Sequence, residues 1–316
     1  MAFENTVAGI HHVSVIAGPA RSNIDFYTRI LGMRLVKKTV NFDDPASYHL
    51  YYGDETGQPG TALTFFPWEH AAPGRFGAGE TLETALRIPE SAFSYWLGRF
   101  ADLGVATGQP VRRFGETVLP FEDRDGVRLA LVALPGLAEE AGWSDGTIPE
   151  EHAIRGFHSV TFDVVDTAPT AAVLTDVLGF TEAAREGDVL RLEASPGGAG
   201  PGGVVNLRKA ASATRGRTGH GTVHHVAFRA ADDEAEATMV QRLKENHNLL
   251  TTEQRDRFYF RSVYFREPGG VLFEIATDKP GFTADESLAD LGKGLMLPPF
   301  LEGRREDIVR GLPDLG

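Results

Sequence analysis

Two pairs of adjacent histidines and one glutamate are the residues of this sequence best suited to hold a metal ion. His11 and His12 lie in GIHHVSVIAG near the start of the chain, and His224 and His225 lie in GTVHHVAFRA near its end. Glu274 lies in the apolar segment PGGVLFEIATD. Two imidazoles and one carboxylate are the donor set of mononuclear non-haem Fe(II) oxygenases, and the same set also binds catalytic zinc. The residue types therefore predict a metal centre without choosing the metal.

Only one histidine of each pair can face such a site, because neighbouring residues on a strand point to opposite faces. We predict that His12, His225 and Glu274 are the metal ligands, since they occupy matching positions in repeated segments. The other histidine of each pair is expected to hydrogen-bond from behind or to fill the outer layer.

The elements that would position these side chains come from an internal repeat. Segments that begin at Gly9, Gly156 and Gly221 are short and β-rich, and each is followed by a segment with helical character. ETALRIPE starts a weaker fourth copy. We predict an α+β fold of four βαβββ units, at about residues 7–68, 80–134, 154–209 and 219–278.

Local signals set the expected bounds within the units. In the first helix, SNIDFYTRILG, Ser22 or Asn23 is the expected N-cap and Gly32 the stop. Three strands are expected after each helix, and in the last unit they are LLTTEQR, FYFRSVYFRE and VLFEIATD.

The acid at position 274 is not required by the repeat itself. When the units are aligned on the glycine before the last strand, Thr64, Ala130 and Leu207 occupy the place of Glu274. A carboxylate in an apolar strand is costly to bury unless it is paired or bound to a metal. This contrast favours a functional role for Glu274.

The halves of the chain are predicted to be two domains, residues 7–134 and 154–278. The acidic, turn-rich segment between them reads as a linker. A tail at 279–316 contains a predicted short helix near Leu301 to Val309, and it is expected to cover either an active site or a subunit interface. The glycine-rich SPGGAGPGG is interpreted as a hairpin loop, because it lacks the strand-then-helix context of a phosphate-binding loop.

Several charged residues are interpreted as ordinary surface. Lys37 and Lys38 are expected at a solvated strand edge, and Glu116, Glu122 and Asp123 in an exposed turn.

His49 and His220 are interpreted as surface or structural histidines. No Ser/His/Asp order indicates a hydrolase triad.

Composition excludes several classes of partner and site. The 316 residues carry a formal charge of −13, which disfavours nucleic acid and anionic membranes as partners. The chain has no cysteine, so a disulfide framework or a thiolate metal site is excluded. The first residues, which include Glu4, lack the features of a signal peptide, and no apolar stretch is long enough to span a membrane. A cytoplasmic protein is expected.

The paired-repeat pattern resembles the vicinal oxygen chelate superfamily, which includes glyoxalases, bleomycin-resistance proteins and extradiol dioxygenases. The resemblance covers about residues 9–278, and HHVAF with FREPGGVLFEIATD is specific for the superfamily. IHHVSVIAG, FYTRILGMRLVKKTVNFDDPASYHLYYGDETGQPGT and TFFPW resemble the hydroquinone-type ring-cleaving dioxygenases. The resemblance implies two cupped mixed β-sheet pairs, an Fe(II) cofactor, and cleavage of a small aromatic diol by O2.

The resemblance also assigns roles to individual residues. The metal ligands would be His12, His225 and Glu274. The positions that support the metal or contact the substrate would be His11, His224, Arg257 and Tyr264. Ser14 stands where the family has a small hydroxyl residue.

Three alternatives stay open at the level of sequence. Two-domain extradiol enzymes take their first histidine from the third unit, which here would be His158; choosing His12 implies that units one and four share one cup. A glyoxalase-like isomerase or lyase on Zn or Ni would need a fourth ligand, and Thr64 stands where a second acid would be. A ligand-sequestering protein would need no metal. A homo-oligomer is possible in each case.

Overall fold

Short strands of alternating or continuous apolar residues form most of the regular structure. The computed structural model describes residues 9–315, so the first residues, with Glu4 and the start of the first predicted unit, lie outside the described part. In chain order the strands of the first half are β1 (Ile10–Ala17), β2 (Arg34–Val40), β3 (Tyr48–Gly53), β4 (Ala62–Pro67), β5 (Glu80–Pro89), β6 (Val111–Arg113), β7 (Glu116–Glu122) and β8 (Arg128–Leu134). Those of the second half are β9 (Phe157–Val164), β10 (Thr181–Glu186), β11 (Val189–Glu193), β12 (Val204–Lys209), β13 (Thr222–Ala230), β14 (Arg255–Asp256), β15 (Arg261–Arg266) and β16 (Leu272–Thr277).

These strands form two eight-stranded mixed sheets, each built from one unit of each half of the chain. The first sheet has the order β14-β15-β16-β13-β1-β4-β3-β2, and the second has the order β10-β11-β12-β9-β5-β8-β7-β6. Antiparallel pairs β1–β13 and β5–β9 join the units. The predicted α+β fold of four βαβββ units is confirmed, and so is the expectation that units one and four share a sheet. The division into domains at 7–134 and 154–278 stays a prediction.

Helices connect the first and second strands of each unit and pack on the sheets. They are α1 (Ala20–Ile24), continued by a π-helical turn (Asp25–Ile30), α2 (Phe93–Leu103), α3 (Thr167–Asp176), α4 (Asp233–His247), and in the tail α5 (Pro299–Glu302) and α6 (Arg305–Gly311). Apolar side chains from both sheets and from the helices of the four units form one large buried cluster, and the tail helices pack in a separate, smaller cluster with Val40. Among the described residues, no helix is long and apolar enough to cross a membrane.

The first helix begins earlier than predicted. Its N-cap is Pro19 and its first residue is Ala20, so the expectation of Ser22 or Asn23 at the cap is wrong. The side-chain oxygen of Asn23 accepts a hydrogen bond from the hydroxyl of Tyr52 at 2.9 Å, which removes it from capping. The predicted stop is correct, since Gly32, the residue after the C-cap Leu31, has φ +66°.

The predicted strand LLTTEQR is mostly absent. Only Arg255–Asp256 pairs with β15. Upstream, the backbone N–H of Thr252 donates to the carbonyl of Tyr264, and the N–H of Tyr264 donates to the Thr252 hydroxyl rather than to a backbone oxygen. A side chain thus replaces the ladder bond and ends the pairing.

The tail packs on β2 and buries a lysine that was expected at a solvated edge. Lys37 is fully buried and bonds the carboxylate of Asp285 at 2.6 Å and that of Glu286. Beside it, the N–H of Met296 donates to the carbonyl of Lys38 at 2.9 Å. The interpretation of Lys37 as solvated is wrong, because a segment distant in sequence supplies its counter-charges.

Two acids placed in an exposed turn are also inside the protein or paired. Asp123 is buried and accepts hydrogen bonds from the backbone of Val127 and from the hydroxyl of Tyr27. Glu116 bonds His158 at 3.2 Å and Arg191 at 2.9 Å. Glu122 is exposed as expected, at the end of β7. The glycine-rich SPGGAGPGG connects β11 to β12 as a hairpin loop, as predicted.

Candidate metal centre

Three adjacent strands bring the predicted ligands together. In the register of the first sheet, His12 on β1 and Glu274 on β16 both stand opposite Ala227 on β13. His225 lies two residues before Ala227 and so points to the same face. The methyl group of Ala227 leaves room for the larger side chains on either side to converge.

The three ligand atoms form a small triangle. His225 Nε2 lies 2.8 Å from Glu274 Oε2, His12 Nε2 lies 3.2 Å from the same oxygen, and the two nitrogens are 3.4 Å apart. Atoms that bind one ion at about 2.1 Å and at right angles lie about 3.0 Å from each other. The triangle therefore has the size of one face of a metal coordination shell.

The carboxylate of Glu274 lacks the partners that a protein group would provide. The side chain is fully buried, and the contacts of Oε2 with the two imidazoles meet the distance of a hydrogen bond but not its angles, so neither oxygen has a hydrogen-bond partner among the described residues. Burial raises the pKa of Glu274, but the imidazoles of His12 and His225 more than offset this and hold that pKa well below its usual value. A buried, ionised carboxylate that contacts two imidazole nitrogens without a well-aligned hydrogen bond fits a bound cation.

His11 sets the proton position on His12. The Nε2 of His11 lies 3.2 Å from the carbonyl oxygen of Thr277, which can only accept, so Nε2–H is the donor. Burial, followed by His12, lowers the pKa of His11 to about 3, so this ring is neutral and its Nδ1 is an acceptor. That Nδ1 lies 2.9 Å from His12 Nδ1, which must donate. The Nε2 of His12 is therefore left with a lone pair that faces the triangle.

The second histidine pair repeats this contact. His224 Nδ1 lies 2.8 Å from His225 Nδ1, and burial, followed by His225, lowers the pKa of His224 to about 3. A neutral His224 can accept the Nδ1 proton of His225 and leave Nε2 of His225 free for a metal. The His224 ring also lines the cavity beside the triangle.

Arg257 and Tyr264 lie on the same side of the cavity. Tyr264 on β15 stands opposite Glu274 on β16, and its ring centroid is 5.5 Å from that of His225. The guanidinium of Arg257 lies 5.5 Å from the centre of the Tyr264 ring and donates to Asp43 at 2.9 Å. Burial, and after it the charge of Glu274, raises the pKa of Tyr264, so its hydroxyl keeps its proton.

The triangle lies at the edge of a cavity of about 320 Å³ with aromatic walls. This volume is at the small end of the range for ligand pockets. The cavity contacts three of the predicted site residues other than the ligands, namely His224, Arg257 and Tyr264, whereas His11 lies behind His12. Lining residues that the sequence did not reveal are Asn41, Phe42, Asp43, His49, Tyr51, Phe66, Trp68, Thr252, Arg255, Phe260 and Leu272.

A family comparison agrees with this arrangement. The model of the Glyoxalase/Bleomycin resistance protein/Dioxygenase superfamily matches residues 9–131 and 156–275. The chain belongs to this superfamily. The predicted resemblance is thus confirmed at the level of the family.

Relatives within the superfamily match nearly the whole chain. Over 309 residues the chain is 42% identical to the "Putative ring-cleaving dioxygenase MhqE" of Bacillus subtilis, covering 97% of this chain and 99% of that protein. It is 33% identical to the chlorohydroquinone/hydroquinone 1,2-dioxygenase of Sphingobium indicum, covering 99% and 98% of the two chains. A crystal structure of a "putative dioxygenase" from Bacillus subtilis superposes with a TM-score of 0.91 at 41% identity over 97% of each chain.

The position of His158 bears on whether His12 or His158 is the first histidine of the candidate metal site. His158 lies on β9 in the second sheet, where it bonds Ser159 at 3.0 Å and Glu116 at 3.2 Å. The residues that lie within bonding distance of one another are instead His12, His225 and Glu274. The geometry therefore favours the first histidine pair over His158.

Some of the missed lining residues carried a usable signal. Tyr51 stands opposite Thr64 on β3 and β4, just as Tyr264 stands opposite Glu274 on β15 and β16. Extending the repeat alignment from the last strand to the strand before it would have paired Tyr51 with Tyr264. His49 lies two residues before Tyr51 on the same face and follows from the same alignment. His220, by contrast, is structural as predicted, bonding Asp125 at 3.1 Å.

Proposed function

We propose that this protein is an Fe(II)-dependent dioxygenase that cleaves the ring of a dihydroxylated aromatic compound, of hydroquinone or catechol type, with O2. The observation that carries the proposal is the buried triangle of His12, His225 and Glu274 at the edge of an aromatic-walled cavity. The printed names of the relatives, which include a hydroquinone 1,2-dioxygenase, support the same reaction class.

The donor set supports iron as the metal. Two neutral imidazoles and one carboxylate on a single face are typical of Fe(II) oxygenases, and the chain has no cysteine to form a thiolate site. Bound Fe(II) would supply Lewis acidity toward a ring hydroxyl and the electron transfer that reaction with O2 requires.

The surrounding side chains would bind and orient the substrate. Tyr264 keeps its proton and can donate a hydrogen bond to a substrate oxygen, and neutral His224 can accept or pass on a proton from the cavity side. Arg257, held by Asp43, provides a fixed positive charge toward negative charge that develops on the substrate. His11 acts through His12 as a positioning residue.

A glyoxalase-like site with four protein ligands is less well supported. The place of a second acid is taken by Thr64, whose hydroxyl lies 2.8 Å from that of Ser14 and 2.9 Å from Nε2 of His49. A neutral hydroxyl that already takes part in two hydrogen bonds is a poor metal ligand, so three protein ligands to the metal are expected.

The test is reconstitution of the purified protein with Fe(II) without oxygen, followed by oxygen uptake on panels of hydroquinones and catechols. We expect stoichiometric oxygen consumption and a ring-opened product with at least one panel. The absence of ring-opened product from both panels would contradict the dioxygenase proposal. Bound metal together with turnover of a hemithioacetal would instead support a glyoxalase-like reaction.

A further inference from the structure

A network of hydrogen bonds reaches the wall of the cavity at His49 and Tyr51, and the Tyr51 hydroxyl has no role in the proposal above. Both ring nitrogens of His49 are engaged: Nε2 lies 2.9 Å from the Thr64 hydroxyl, and Nδ1 lies 2.8 Å from the Tyr51 hydroxyl. Thr64 in turn contacts the Ser14 hydroxyl at 2.8 Å. Ser14 and Thr64 are fully buried, whereas Tyr51 and His49 line the cavity.

Aromatic packing holds the rings of His49 and Tyr51 in place. The His49 ring lies 4.0 Å from the Tyr51 ring and 4.2 Å from the Phe66 ring. Tyr51 packs against Phe282 of the tail at 4.9 Å. The Tyr51 hydroxyl is therefore held at the cavity wall before any ligand binds.

The hydrogen bonds between Tyr51, His49 and Thr64 can point in either of two directions, because the His49 ring is neutral. Burial, followed by His12, lowers the pKa of His49 well below its usual value. If Nε2 carries the proton, it donates to Thr64, and the Tyr51 hydroxyl donates to Nδ1 and turns its lone pairs to the cavity. If Nδ1 carries the proton, it donates to Tyr51, and the Tyr51 hydroxyl is free to donate into the cavity.

A wall oxygen that can accept or donate matches a substrate hydroxyl, which donates as a phenol and accepts as a phenolate. The imidazole of His49 separates Tyr51 from Thr64, the residue that takes the place of a second acid. Tyr51 lines the same cavity as His12 and His225, so a group on one bound ring can meet the Tyr51 hydroxyl while another is held at the triangle.

We propose that Tyr51, positioned by His49 and Thr64, binds the second hydroxyl of a dihydroxylated ring whose first hydroxyl is held at the metal triangle. The inference rests on the proposed function. Tyr51 contacts the substrate, and His49 is a positioning residue.

The experiment compares binding of hydroquinone and 4-methylphenol to the Fe(II)-loaded protein without oxygen, by calorimetry. The two ligands differ only in the distal group, so their affinity ratio isolates the contact with that hydroxyl. We expect the wild type to favour hydroquinone by about five- to tenfold, as for one net hydrogen bond. In Tyr51→Phe the ratio should fall to within about twofold of one.

Two further variants keep the test decisive. Tyr52→Phe is the matched control, because the Tyr52 hydroxyl donates to Asn23 in the core and should leave the ratio unchanged. His49→Phe keeps a stacked ring but removes both nitrogens, so the ratio should fall at least threefold; it replaces Tyr51→Phe if that variant does not fold.

The outcomes distinguish the inference from the function it rests on. A wild-type protein that cleaves hydroquinone but shows no preference over 4-methylphenol overturns the role of Tyr51 and leaves the dioxygenase proposal intact. An affinity ratio that is unchanged in Tyr51→Phe also overturns the role of Tyr51. An unchanged ratio in His49→Phe overturns the positioning role of His49. If the loaded wild type neither binds nor cleaves any diol, the proposed function fails, and the inference fails with it.

Discussion

At the scale of single residues, the predicted metal ligands differ sharply from other buried histidines. His225 points Nε2 at the Glu274 carboxylate at 2.8 Å, whereas His158 is paired with Glu116 in the other sheet. We expect His225→Ala to weaken Fe(II) binding more than about 100-fold, since even supporting residues contribute 10- to 100-fold. His158→Ala is the control and should keep one metal per chain by elemental analysis. A His225→Ala protein with full metal content would refute the ligand assignment.

The proton position on His12 gives a second residue-scale prediction. Without His11, the Nδ1 proton of His12 loses its acceptor, and the tautomer that presents Nε2 is no longer favoured. We expect His11→Phe to lower the affinity for Fe(II) by about 10- to 100-fold while the protein stays folded. Competition with a metal chelator measures the affinity. His70→Phe, at an exposed position, should behave as the wild type, and equal affinities in both variants would count against the tautomer argument.

Asp123 predicts a pH dependence of stability that is independent of the metal. Burial raises the pKa of Asp123 to about 6, against an unfolded value near 3.9. Between these values the folded protein binds more protons than the unfolded chain, so this acid lowers the free energy of unfolding as pH rises. The loss is about 2 kcal/mol from pH 4 to 7.

Denaturant unfolding of Asp123→Asn at several pH values tests this. The amide can still accept from the backbone of Val127, so the fold should persist without the titration. We expect the stability of the variant relative to wild type to rise by about 2 kcal/mol from pH 4 to 7. Asp102→Asn, at an exposed position on α2, should show no such trend; a flat difference for Asp123→Asn would exclude the shifted carboxyl.

At the scale of elements, the tail is bound to β2 through a buried charge cluster. Lys37 is fully buried against Asp285 and Glu286, and Asp285 also accepts from the hydroxyl of Tyr259 at 2.9 Å. Tyr259 neighbours Phe260, whose ring lies against His12 at 5.1 Å. The tail therefore contacts the segment that packs against one side of the candidate metal centre.

Removing the lysine charge should release this element. Lys37→Met leaves two carboxylates without their cation, which we expect to lower the free energy of unfolding by about 3–5 kcal/mol. Hydrogen exchange should rise across residues 285–312. The adjacent Lys38→Met is the control, because it is half-buried and the contact with the tail uses its backbone carbonyl. Similar exchange in the two variants would argue against the cluster as the attachment point.

At the scale of the whole molecule, the candidate metal centre is shared between the two halves of the chain. His12 comes from the first half, and His225 and Glu274 come from the second, joined by the β1–β13 pair. The exposed linker around Gly146 is a suitable place to divide the chain. We expect residues 1–146 and 147–316 to bind no Fe(II) separately and to bind one equivalent when produced together. Full metal affinity in the second fragment alone would show that His12 is dispensable.

The sequence alone was sufficient for the repeat, the superfamily and the ligand candidates, because these depend on local patterns. Strand periodicity and glycine positions recur in each unit, and the contrast between Glu274 and the neutral residues at the matching positions identified the acid. The paired histidines likewise matched between units one and four. These signals can be read from the sequence because each one is set by residues a few positions apart within a unit.

The tertiary structure decided which distant groups meet. It placed His158 and His12 in different sheets, supplied two acids from the tail to Lys37, and buried Asp123 under Tyr27. It also brought His49 and Tyr51 to the wall of the cavity. None of these follows from spacing in the chain, because burial and pairing depend on contacts between segments that only the packed sheets bring together.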